Sequence, residues 1–73
     1  METEKIEQLI KAGMPDCQVS VSGDGQHFDA LVISAEFEGK SPLAKQRMVM
    51  ATVKEAITSG ELHAISIKTQ LPT

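Results

Sequence analysis

The side chains of this sequence best suited to metal chemistry are its two histidines, His27 and His63, and its one cysteine, Cys17. A neutral imidazole can serve as a ligand to a borderline metal or as a proton acceptor, and a thiolate as a ligand or nucleophile. Cys17 has no second cysteine to work with and reads first as a small core residue. His27 and His63 lie far apart in the chain, so a site using both must be assembled by the fold. The plainer alternative is that His27 is a solvated loop residue and that His63 lines a helix end. Lys40, Lys45, Arg47 and Lys54 are of a type to contact phosphates, or to form a solvated helix surface that doubles as the rim of a protein interface. No nucleophile and base pair, acidic dyad or phosphate loop stands in recognisable form, so no enzymatic activity is expected.

The task of positioning these groups falls to a stretch from Phe37 to Lys68. Ser41 followed by Pro42 predicts a helix start, because serine accepts from an orphan amide and proline's fixed φ suits the first helical position. Successive residues about 100° apart place Leu43, Val49, Met50, Val53 and Ile57 on one face, with Gln46 the only polar residue among them. That face is expected to be core. Met48, with Ala44 and Ala51 nearby, is expected to face water and so to invite a partner. Ser59-Gly60 stops the helix, and Leu62 to Thr69 then reads as a strand with His63 at its start. Upstream, Thr3 is the expected cap of a short amphipathic helix carrying Ile6, Leu9 and Ile10, with Glu4 and Glu7 toward the positive end of its dipole. Cys17 to Ser22 alternates apolar and polar residues as a strand with Cys17, Val19 and Val21 inward. Gly23-Asp24-Gly25-Gln26 is a tight turn, and His27 to Ser34 returns with Phe28, Ala30 and Val32 inward and Leu31 and Ile33 on the outer face.

The order is helix, strand, strand, long helix with a terminal turn, strand. A hairpin followed by a right-handed helical crossover sets the last strand parallel to the second, so both strands start at one end of the sheet. His27 and His63 then share an edge. The expected fold is a single α+β domain over residues 1–73, a small sandwich with a three-stranded mixed sheet and helices on one face. The formal charge of −3, the absence of Trp and Tyr and the presence of only two Phe disfavour general nucleic-acid binding. The Gly-x-Gly joins two strands and lacks the third glycine of a dinucleotide fingerprint, and no Gly-x-x-Gly occurs. With no apolar run of about 18 residues, no membrane span is expected, and a cytoplasmic place, or equally an organelle matrix, is.

Four stretches carry a resemblance to a known family: Val21 to Phe28, Phe37 to Ser41, Lys45-Gln46-Arg47-Met48-Val49, and His63 to Lys68. Together they resemble the BolA-like family, closest to its IbaG-like branch. The resemblance implies a KH-like fold of type II (αββααβ) without the Gly-x-x-Gly loop. It also implies a partnership with a monothiol glutaredoxin of the Cys-Gly-Phe-Ser type, the pair holding a bridging two-iron two-sulfur cluster together with glutathione. The family's ligand positions fall on His63, before the last strand, and on His27, near the loop between the first two strands. Histidines on one iron and sulfur ligands on the other is the Rieske pattern, which needs no cysteine from this chain. Family members have also been described as transcription factors, so a DNA-binding regulator using the helical region is the alternative. For this acidic chain duplex binding is expected to be weak, and self-association is a further expected mode of covering its outward apolar groups.

Overall fold

The computed structural model describes residues 1–73. The chain runs through α1 (Thr3–Gly13), β1 (Gln18–Gly23), β2 (His27–Ile33), a 3-10 turn (Ala35–Phe37), α2 (Pro42–Thr58) and β3 (Ala64–Gln70). This is the α+β fold expected, with the sheet ordered β1-β2-β3. β1 and β2 pair antiparallel with Val19 opposite Val32, and β2 and β3 pair parallel with His27 opposite Ala64 and Phe28 opposite Ile65.

Alternation along the strands decides which side is wet. Phe28, Ala30 and Val32 are buried under the helices, while His27 and Asp29 are exposed. Ile6 and Ile10, one turn apart on α1, and Val49, Val53 and Ala56 on α2 close the core from above. Burying a side chain of the size of Phe28 or Phe37 contributes roughly 1.5–3 kcal/mol. Phe37 reaches the core from the 3-10 turn, which forms because the Glu36 N–H donates to Ser34 Oγ at 3.1 Å. The extra helical turn thus lies ahead of the long helix rather than at its end.

Four local expectations are corrected. The face of α2 that meets the core is centred on Val49, Val53 and Ala56, whereas Leu43, Met50 and Ile57 are 59%, 37% and 36% exposed. Met48 accordingly is half-buried and packs against the core instead of facing water. The cause is that α2 has two neighbours, the sheet and α1, and turns its small residues toward both: a Cβ at Gly13 of α1 would come 2.5 Å from Thr52 Cγ2. Gln46 sits where the helix crosses β3 and donates from Nε2 to the Ile67 carbonyl at 2.7 Å. At the start of the chain Glu2, not Thr3, holds the cap position of α1, and no side chain caps it. Finally, Leu62 precedes β3 and is buried, so it belongs to the core and not to the strand.

Candidate functional site

Asp24 builds the turn that presents His27. Its Oδ1 accepts from the Gln26 N–H at 2.9 Å and from the His27 N–H at 3.0 Å, and its own N–H donates to the His27 carbonyl at 3.3 Å. The His27 and Gln26 amides, in that order, hold the Asp24 carboxyl below the usual carboxylate range. Phe28, the next residue, is buried and seats the start of β2. The ring of His27 lies on the open face of the sheet, with Nε2 3.3 Å from Ser66 Oγ and 3.7 Å from Asp29 Oδ1.

His63 is set by the way α2 ends. Gly60 takes φ +84°, the left-handed conformation that lets the chain leave the helix, and donates its N–H to the Ile57 carbonyl at 3.2 Å. Ser59 Oγ lies 3.1 Å from the Ala56 carbonyl and 3.2 Å from Glu61 Oε1. Leu62 then drops into the core, 1% exposed, with its N–H donating to the Ala56 carbonyl at 3.0 Å. The next residue, His63, emerges exposed at the mouth of β3.

These two constructions meet. His27, His63, Gln26, Glu61, Gly25, Ala64 and Met1 line one concave pocket of about 710 Å³. The two imidazoles and the Glu61 carboxylate are the donors it offers, and no three His, Cys, Asp or Glu side chains, there or elsewhere, are placed to hold a metal ion by themselves. Cys17 is not part of it: the residue precedes β1 at the end where Gln18 pairs with Ile33, opposite the end that carries His27. Burial pushes the Cys17 thiol above its ordinary pKa, which disfavours the thiolate. Two imidazoles are too few to hold a metal group alone, so any such group at this pocket would need its remaining ligands from a second molecule.

Of the cations singled out in the sequence, Arg47 and Lys54 come together along a separate groove of about 340 Å³ on the outer side of α2, with Met50, Ala51, Ile57 and Thr58. Lys40 is exposed ahead of the helix, Lys45 is half-buried and Met48 faces inward, so none of these three lines that groove. Sequence reasoning passed over Asp24, Leu62, Glu61 and Ser66. The Asp-Gly pair was a legible signal of a side-chain-supported turn. Nothing local distinguished Leu62 from a strand residue.

With this geometry in place, the comparisons with known proteins are direct. Residues 8–73 match the family model for BolA-like proteins, and the chain belongs to the BolA-like family. It is 35% identical over 72 residues to the acid stress protein IbaG of Escherichia coli K12, covering 99% of this chain and 86% of that protein. An uncharacterised protein of Acinetobacter guillouiae is 40% identical over 68 residues, covering 93% of this chain and 82% of the relative. In structure, a BolA homologue from Coxiella burnetii superposes with a TM-score of 0.87 at 36% identity, covering 99% of this chain and 92% of that one. No helix here is long and apolar enough to cross a membrane.

Proposed function

We propose that this protein partners a monothiol glutaredoxin and, through His63 and His27, supplies two ligands to a bridging two-iron two-sulfur cluster that is assembled or passed on. The observation that carries this reading is the convergence of both histidines on one pocket, made possible because β2 and β3 start side by side with His27 opposite Ala64. The remaining ligands, a glutaredoxin cysteine and a glutathione thiol, come from outside, in keeping with a chain whose lone cysteine is buried at the other end of the sheet. Histidine ligation makes such a cluster less negative and raises its potential relative to all-thiolate ligation. This chain's own contribution is to hold two imidazoles ready at an exposed edge. His63, set by a helix stop and a buried neighbour, is the primary ligand, and His27, set on a surface turn, assists.

The alternative of a DNA-binding regulator has less behind it. Arg47 and Lys54 share a groove, but Met50 and Ile57 share it too, and the chain as a whole carries −3.

The test is reconstitution of the purified protein with a monothiol glutaredoxin, glutathione, iron and sulfide, followed by visible absorption and circular dichroism. His63→Ala is expected to abolish or convert the mixed-ligand signal, and His27→Ala to destabilise it less, with both variants folded. A His63→Ala complex with the wild-type spectrum and lifetime would make the protein an adaptor that touches the glutaredoxin without holding iron.

A further inference from the structure

The outer face of α2 is apolar along its middle and is covered by nothing in the chain. Leu43, Met50 and Ile57 recur at every second turn, and Arg47 and Lys54 fill the intervals on the same face. Leu43 to Ile57 spans about four turns, or roughly 21 Å. Neither Arg47 nor Lys54 has an ion-pair partner within the chain. Three large exposed apolar side chains in register are not needed for the core, which is closed on the opposite side of the helix by Val49, Val53 and Ala56.

Charge decides what can cover this face. A second copy in antiparallel pairing about Met50 would set the arginine of one helix against the lysine of the other, two like charges in a partly desolvated seam, which costs free energy. A phosphate backbone would satisfy the cations but leave Leu43, Met50 and Ile57 against a charged, hydrated surface. A helix with apolar residues along one stripe and carboxylates beside it satisfies both halves of the pattern, laying its apolar side chains between those of α2 and its acids over Arg47 and Lys54.

We propose that the outer face of α2 is a docking surface for an acidic amphipathic helix of a partner protein. The surface is separate from the histidine pocket, with which it shares no lining residue, and the inference stands whether or not the pocket holds a cluster.

The probe is a synthetic four-turn helical peptide with leucines along one face and glutamates flanking them, followed by fluorescence anisotropy and by backbone amide shifts in the full-length protein. Shifts are expected along residues 43–58, and the Arg47→Glu, Lys54→Glu double variant, folded because both positions are exposed, is expected to bind about tenfold or more weakly. The same peptide with lysines for glutamates should show the reverse preference, binding the double variant better than the wild type. Met50→Glu should weaken the acidic peptide, and His27→Ala and His63→Ala should leave its affinity unchanged. Equal binding of acidic and basic peptides overturns the proposal, as does displacement of the acidic peptide by duplex DNA. So does a dimer of the free protein, seen by sedimentation, that Met50→Glu dissolves.

Discussion

His27 is held from a surface turn, by an Asp24 carboxylate that gathers two backbone amides in full contact with water, and only its neighbour Phe28 reaches the core. His63 is held from inside, by a helix end whose carbonyls are met one after another and by Leu62, which is 1% exposed and bonded to Ala56. The same pocket thus has one wall fixed by polar contacts that solvent weakens and one fixed by apolar burial that solvent cannot reach. Were the pocket to hold a ligand shared between two proteins, as proposed, the firm wall would define where the group sits and the softer one would adjust as the partner arrives.

Removing the burial behind the firm wall should have the largest effect. Leu62→Ala deletes a fully buried side chain and is expected to cost about 2–5 kcal/mol, a fall in Tm on the order of 10 °C or more for a domain of this size. Calorimetry measures the loss, and amide exchange locates it. Exchange at residues 61–63 should rise well above the global increase, and exchange at residues 26–28 should not. A rise of equal size on both sides would mean that the two walls form one cooperative unit and do not differ in how firmly they are held. Leu62→Met, which keeps most of the volume, should stay within about 1.5 kcal/mol of wild type.

A smaller effect, confined to acid, is expected on the soft wall. Because the His27 and Gln26 amides favour the Asp24 carboxylate, its folded pKa lies below its unfolded one. The stability this contributes is therefore present above about pH 3.9 and is lost as pH falls through the folded pKa. Asp24→Asn keeps an oxygen for the two amides and removes the charge. In the wild type the Gln26 and His27 amide shifts should titrate with the carboxyl below about pH 4, and in Asp24→Asn that step should vanish while residues 61–63 behave as before. Persistence of the step in the variant would assign it to another acid.

The unequal legibility of these features has a physical cause. Strict alternation in Val19, Val21 and in Phe28, Ala30, Val32 announces both the strands and their inner face, because a period of two leaves no freedom once one face is dry. Ser41-Pro42 and Gly60 announce the ends of α2 just as plainly, and with Gly60 placed, the position of His63 before the last strand follows. The face that α2 buries was misread because periodicity identifies an apolar stripe without saying whether the core or a partner lies against it. Leu43, Met50 and Ile57 make the more apolar stripe, yet it is Thr52 that lies against Gly13 of α1 and Val49, Val53 and Ala56 that are buried. Gln46 looked like the flaw in that stripe, and its bond to the Ile67 carbonyl depends on a helix–strand crossing that no local pattern encodes. Of the pocket, both histidines and their shared edge were legible from topology. Asp24 was legible as a turn former from its Asp-Gly pair but not as the holder of His27, and Leu62 and Ser66, which act through contacts across the fold, were not legible.

The smallest expected effect probes how far the soft wall extends. Ser66 Oγ is 3.3 Å from His27 Nε2 across the β2–β3 pair, an exposed contact at the long end of hydrogen-bonding distance. Such a contact contributes at the low end of the roughly 0.5–1.5 kcal/mol of a typical hydrogen bond, so Ser66→Ala should leave the fold intact and shorten the lifetime of a reconstituted cluster by no more than about threefold. The imidazole ring shifts of His27 in the free protein should nevertheless move, while those of His63 do not, because Ser66 touches only the first. Asp29, 3.7 Å from the same nitrogen, remains in the variant and limits the change. If Ser66→Ala instead damages the cluster as severely as His27→Ala, then His27 owes its position to the sheet surface more than to the Asp24 turn. In that case the hairpin wall is held as firmly as the helix wall.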